Sequence, residues 1–343
     1  MLQPISTRFR NAALIVPAFV FCLALADQAY AQEVFRLEHT IPLPGVTGRI
    51  DHMALDGQGK LLFVAALGNN TVEVVDLTLD SRIHSIKELN DPQGVIFVDE
   101  FNKLFVANGG NGVCKVFEGG SWNLANTISF PSDADNIRYG PDERKVYAGH
   151  GDGALGIIDP NTPRWVGDIQ LSGHPESFQL ERNGPRIFVN VPTARQVEVV
   201  DRIQRKVIAK WGLGDVKDNF TMALDEAGHR LFVGCRNPAK VLIYDTVSGK
   251  VVGDIGIAGD VDDLFFDAET MGLYTSCGEG FLQAFAQKDS DHFFLVRNLA
   301  TAKGARTSFF DSKRKRLFLA VPSHGSQQAE IRVYAVRPWF QKE

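Results

Sequence analysis

Seven short stretches repeat one alternation of polar, aliphatic, aromatic and small or aliphatic positions. They are Leu61-Leu62-Phe63-Val64, Lys103-Leu104-Phe105-Val106, Lys145-Val146-Tyr147-Ala148, Arg186-Ile187-Phe188-Val189, Arg230-Leu231-Phe232-Val233, Gly272-Leu273-Tyr274-Thr275 and Arg316-Leu317-Phe318-Leu319. The aromatics fall at 63, 105, 147, 188, 232, 274 and 318, at spacings of 42, 42, 41, 44, 42 and 44 residues. A period of this size marks one supersecondary unit used repeatedly. Each unit opens with an apolar run ending near Asp or Gly, such as Met53-Ala54-Leu55-Asp56, Ile96-Phe97-Val98-Asp99, Met222-Ala223-Leu224-Asp225 or Leu264-Phe265-Phe266-Asp267, which predicts an innermost strand. A polar turn, the aromatic strand and a Gly/Asn-rich loop follow, and then a Val-rich third strand, at 72–76, 113–117, 155–159, 197–201 and 241–245. A more polar fourth strand closes the unit, as at 82–89 and 251–257.

Four short antiparallel strands per period predict an all-β fold, a seven-bladed β-propeller of four-stranded antiparallel blades; a helical solenoid would show 3.6-residue spacing. Blades start near 49, 92, 134, 175, 218, 261 and 304, and 32–343 form a single propeller domain. The seventh unit has strands at 305–311, 316–321 and 331–336, with no fourth before Pro338. Residues 33–43 supply it, so the ring is closed by the N-terminal strand, which shields edges that an open array would leave bare.

The run Leu62-Phe63-Val64-Ala65-Ala66-Leu67-Gly68-Asn69-Asn70-Thr71-Val72-Glu73-Val74-Val75-Asp76 resembles the YVTN-type repeat of YncE-like exported β-propellers. The resemblance covers about 49–338. It implies the fold and no one activity, since related propellers include surface-layer proteins, lactonases and cofactor-carrying domains. Gly140 and Glu181, where most units end the inner strand in Asp, and an enlarged loop at 322–328 depart from the pattern. No WD dipeptide punctuates the repeats, which argues against the WD40 class.

At the N-terminus Arg8 and Arg10 precede an apolar run, 12–26, and Ala29-Tyr30-Ala31 supplies a small-x-small cleavage pattern. Residues 1–31 therefore read as a signal peptide, and the protein as periplasmic or secreted. The run is too short, and too broken by Pro17, for the roughly 20 residues a membrane-spanning helix needs. Cleavage before Gln32 removes Arg8, Arg10 and Asp27 and takes the net charge from −5 to −6. No nucleic-acid footprint is indicated, and no membrane span remains after signal removal. The 44% hydrophobic and 22% charged composition is that of an ordinary globular protein. Of the four cysteines, Cys22 falls in the segment removed, and the remaining Cys114, Cys235 and Cys277 are an odd set that does not form a disulfide framework. Cys114 reads as core, and Cys235 and Cys277, at equivalent positions of neighbouring blades, as separate thiols. Walker, HExxH, CxxCH and GxSxG motifs are absent.

Antiparallel alternation puts the start of each first strand and the loop between second and third strands on one face. That mouth collects Arg49, Asp51, His52, Asp91, Gln93, Asp133, Asp135, Asn136, His174, Glu176, Lys217, Asp218, Asp260, Asp262, Asp263, Lys303 and Arg306. The loops add Asn69, Asn70, Asn108, Asn111, His150, Asp152, Arg236, Asn237, Glu279 and His324. The ligand-binding candidates are Arg49, Asp51, His52, Asp135, Asn136, His174, Glu176, Asp218, Asp262 and Arg306. Asp51, His52, Asp135, His174, Glu176 and Asp262 carry donor atoms for a divalent metal such as calcium, although no local spacing motif links them. Arg49, Lys217, Lys303 and Arg306 suit an anionic small molecule, and the Gly/Asn loops with Val191-Pro192 and Val321-Pro322 suit a protein or peptide. Against all three stands turn chemistry, in which Asp and Asn at strand starts accept backbone N–H bonds. It accounts less well for His52 and His174, whereas His84 and His229 read as solvated. The reading is a non-enzymatic binding or scaffold protein engaging a small ligand or protein partner at the channel mouth. The alternative is a metal-assisted lactonase-like hydrolase using the same cluster.

Overall fold

The computed structural model describes residues 34–338. The expected signal peptide lies outside the described residues, as do 339–343. Seven four-stranded antiparallel sheets are arranged as the blades of a β-propeller. Their inner strands are Met53–Leu55, Pro92–Val98, Ala134–Gly140, Phe178–Leu180, Lys217–Asp225, Val261–Asp267 and Ser308–Asp311, in blades 1 to 7. In blades 1 to 6 spatial order follows chain order. In blade 7, strand Phe35–Pro42 pairs antiparallel with Glu330–Val336, from Phe35 opposite Val336 to Pro42 opposite Glu330. The first strand of the described chain thus forms the outer strand of the last blade.

The burial pattern explains why the repeat is readable. Second strands such as Leu61–Ala66 are buried almost throughout, because both faces pack against other blades, and so they read as continuous apolar runs. The outer strand Lys206–Gly212 alternates exposed and half-buried positions, as a strand with one solvated face must. All seven aromatic anchors are buried, none more than 2% exposed. Several reach across a blade boundary to an inner-strand aromatic. Phe63 stacks on Phe97 at 5.3 Å, Phe232 on Phe266 at 5.2 Å, and Tyr274 meets Phe310 edge-on at 5.1 Å. Each buried side chain of this kind contributes about 1.5–3 kcal/mol through its area, and an aromatic pair about 0.5–1.5 kcal/mol more. Apolar clusters of this kind fill the boundaries between neighbouring blades, and that between blades 7 and 1 joins Ile41, Leu43, Val64, Phe318 and Ile331.

Recurrent Asp residues at the ends of third strands serve turns. Asp76 accepts the Thr78 N–H at 2.7 Å, Asp201 the Ile203 N–H at 2.9 Å and Asp245 the Ser248 N–H at 2.7 Å. One strand is shorter than the apolar pattern predicts: 305–311 pairs only as Ser308–Asp311. The preceding groups are drawn into other bonds, Ala305 N–H to the Ala302 carbonyl and Thr307 Oγ1 to the Ile50 carbonyl of blade 1. Among the described residues Cys114, Cys235 and Cys277 are free and buried. Burial pushes each thiol up to about 12, which leaves none as a ready thiolate.

Candidate functional site

On one face of the ring the second-to-third loops of blades 1, 2, 3 and 6 are sewn to the starts of their own inner strands. Gly68 N–H donates to the Arg49 carbonyl, Gly109 to Asp91, Gly151 to Asp133 and Gly278 to Asp260, at 2.8–3.2 Å. A Cβ at Gly68 would stand 2.7 Å from Arg49 N, so only glycine permits that approach. These bonds bring the strand starts together around the channel. There a cavity of about 120 Å³ is lined by Arg49, Asp51 and His52 of blade 1, Gln93 of blade 2, Asp135 and Asn136 of blade 3, and Glu176 of blade 4. Phe220 and Arg236 of blade 5, Asp262 of blade 6 and Arg306 of blade 7 complete it, so all seven blades contribute.

Its charges are paired and shared. Arg49 Nη2 lies 2.6 Å from Asp51 Oδ2, and His52 Nε2 3.8 Å from Asp51 Oδ1. Arg236 donates to Asp262 Oδ1 at 2.5 Å, stacks over the Phe220 ring at 4.1 Å and donates to the Val261 carbonyl at 2.9 Å. Arg306 binds Asp260 at 2.8 Å and approaches Asp262 Oδ2 at 3.3 Å. Carboxylates still crowd the site. Burial, then the charges of Asp135 and Asp262, push Glu176 up to about 8. Burial and the charge of Asp262 push Asp263 up to about 7. Burial also moves Asp51 upward, against the pull of His52 and Arg49. For His174 burial opposes the charge, but Asp135, the Gly151 carbonyl and Asp133 outweigh it and raise the imidazole to about 9. At neutral pH the mouth therefore holds protons that isolated carboxyls would have released.

Two polar atoms in the cavity wall stand out. Asp135 Oδ1 and Asn136 Oδ1 are buried and accept no hydrogen bond. His174 lies just beside the wall, and donor atoms of Asp135, His174 and Glu176 all fall within 4.8 Å of one another. Nine of the ten ligand-binding candidates are thus placed in or against one cavity. Asp218 is not: it sits in an irregular stretch of the blade 5 inner strand at φ 63°, and its charge acts on Cys235. Of the candidate metal donors, Asp135, His174 and Glu176 fall together, while Asp51 and Asp262 are engaged with arginines. His150, expected at the mouth, is buried, stacked on Phe130 at 4.4 Å with Nε2 3.0 Å from Asp168. Lys217, Lys303 and His324 are exposed away from the cavity wall. Phe220 was missed, because a lone aromatic inside the run Asn219-Phe220-Thr221 carries no periodic signal. A larger concavity of about 980 Å³ opens elsewhere, beside the ends of the inner strands of blades 4 to 7. Its charges are largely paired, Arg186 with Glu181 at 2.5 Å and Lys315 with Asp267 at 2.7 Å. No helix among the described residues is long and apolar enough to cross a membrane.

No family model matches the chain. Autophagy-related protein 16 of Arabidopsis thaliana is 27% identical over 152 residues, which is 43% of this chain. The match spans only 29% of that protein's length. A chain in the crystal structure of a mitotic checkpoint complex superposes with a TM-score of 0.75 at 13% identity, over 98% of this chain and 99% of that one. A chain of Kuenenia stuttgartiensis hydrazine synthase does so with a TM-score of 0.75 at 16% identity, over 86% of this chain and 99% of that one. At these identities the likeness is one of fold: the chain is a β-propeller.

Proposed function

We propose that this protein is a binding propeller, a ring that holds a small polar ligand in the cavity at one mouth of its channel. One observation carries the reading: all seven blades wall a single cavity in which Asp135 Oδ1 and Asn136 Oδ1 are buried without a hydrogen bond. Buried polar atoms are normally satisfied, and two acceptors without a partner on residues of one cavity wall mark where a bound ligand's donors would complete the site. A volume of about 120 Å³ suits a small ligand. The YncE-like resemblance and the segment 1–31 add export to this reading, so the intact mass of the secreted or periplasmic form should begin at Gln32.

The test is a thermal-shift screen of small amines, amino acids, polyols and carboxylic acids against the mature protein and Asp51→Asn. Binding to the folded state raises the midpoint. A compound that shifts the wild type and not the variant supports the reading; no shift from any compound, with a native mass spectrum of the bare chain, counts against it. The second reading, a metal-assisted lactonase-like hydrolase, is favoured by the proximity of Asp135, His174 and Glu176. Lactone turnover lost in Glu176→Gln would move the protein to that class.

A further inference from the structure

We propose that Asp135, His174 and Glu176, in a wall shared with Asn136, form a site for one divalent transition-metal ion of the Zn²⁺ or Mn²⁺ kind. This inference deepens the ligand-binding reading of the mouth and rests on it. The three donor atoms lie within 4.8 Å of one another. With bonds of about 2.1 Å, two ligands of one ion stand roughly 3–4.2 Å apart, so side-chain rotations of less than about 1 Å close the shell.

The setting of His174 points the same way. Its Nδ1 is 2.6 Å from the Gly151 carbonyl, a bond in which the ring N–H donates and which turns Nε2 toward the carboxylates. Metal-binding imidazoles are oriented by this kind of bond through their other nitrogen. Nε2 then stands 3.8 Å from Asp135 Oδ2 and 3.7 Å from Asp133 Oδ2. Both separations are too long for a hydrogen bond, and that to Asp135 suits two atoms that share an ion, while Asp133 stands outside the donor group. An independent observation comes from Asn136, only 1% exposed, whose Oδ1 is unpartnered in the wall that Asp135 and Glu176 also line.

The donor set selects the ion class. One imidazole nitrogen with a few oxygens suits Zn²⁺ or Mn²⁺, whereas Ca²⁺ takes six to eight oxygens in a wider cage. Zn²⁺ should bind more tightly than Mn²⁺, following the general affinity order for divalent ions.

The experiment is calorimetric titration of the chelator-stripped mature protein with zinc chloride, manganese chloride and calcium chloride. The proposal expects one Zn²⁺ per chain, weaker Mn²⁺ and still weaker Ca²⁺. His174→Ala should weaken Zn²⁺ at least about tenfold, a loss already typical of outer-shell partners. The isosteric Glu176→Gln should do the same, and it carries the test if His174→Ala does not fold by circular dichroism. His229→Ala, an exposed turn position lining the large concavity, should leave binding unchanged. Absence of stoichiometric Zn²⁺ binding, or binding undiminished in Glu176→Gln, overturns the proposal. If that happens while a small compound still shifts the wild type and not Asp51→Asn, the ligand-binding reading survives and the metal site alone fails.

Discussion

Arg306 of blade 7 reaches Asp262 of blade 6, Nε to Oδ2 at 3.3 Å, while the other oxygen of the same carboxylate takes Arg236 of blade 5 at 2.5 Å. One carboxylate with a side chain only 10% exposed thus ties three successive blades at the cavity wall. Removing it leaves two partly buried guanidinium groups to the more exposed Asp260. Breaking a fully buried pair costs about 3–5 kcal/mol, and with Asp260 in reserve Asp262→Ala should cost about 2 kcal/mol. Urea unfolding measures this; a loss below about 0.5 kcal/mol, the range of an ordinary surface change, would contradict the pairing.

The aromatic anchors make a sharper stability prediction. Phe63 is fully buried and stacked on Phe97 of the next blade. Phe63→Ala should cost about 3–5 kcal/mol, from lost transfer energy plus the cavity left behind. Phe294→Ala, at a side chain 53% exposed on an outer strand, should stay within about 0.5 kcal/mol of wild type. Equal losses in the two variants would refute the assignment of inner and outer positions.

Ring closure is testable at Ile41, which is fully buried opposite Ile331. Ile41→Asp places a charge in the cluster between blades 7 and 1 and should release the closing strand. The bared edge of Glu330–Val336 would then pair between molecules. Size-exclusion chromatography should show higher oligomers or aggregate for this variant and monomer-like elution for Leu37→Asp, a side chain already 48% exposed on the same strand.

The fold was legible because its physics is periodic. Phe63, Phe105 and their counterparts must each fill the same gap between blades, so the same residue class returns every 41–44 residues. The missing fourth strand of the last unit was legible by counting, and Phe35–Pro42 occupies it. The site was legible only as a list, because a mouth gathers one or two residues from every blade and nothing in the chain marks which of them meet. Arg49, Asp51, Asp135, Glu176 and Asp262 do meet at the cavity, but Asp218 falls outside its wall, in the irregular stretch of its strand. His150 looked like a loop residue by alignment and is in fact held against Phe130. The reach of Phe220 beneath Arg236 depends on side-chain packing that no spacing encodes.

Half-buried Asp263 gives the chelator-treated protein a signed pH dependence. Its Oδ2 accepts the Ser308 N–H at 2.6 Å, and the charged neighbours acting on it are His52, Asp262, Asp51 and Arg138. Burial first, opposed by His52 and reinforced by Asp262, holds the carboxyl at about 7 in the folded protein. The unfolded chain releases that proton near pH 3.9, so folding takes one up across the interval. Stability from this group is fully present below about pH 4 and is lost as pH rises through about 7. Melting midpoints should fall between about pH 5 and pH 8, with a shallower fall in Asp263→Asn. Parallel profiles for the two proteins would remove Asp263 from the account.

The measurement that bears most directly on the cavity as a binding site is a high-resolution crystal structure of the mature protein purified without chelators. The account predicts an occupant other than water bounded by Asp135, Asn136, Glu176, Asp51 and Arg306, satisfying Asp135 Oδ1 and Asn136 Oδ1. A cavity holding only ordered water, with both oxygens hydrogen-bonded to neighbouring protein groups, would contradict it.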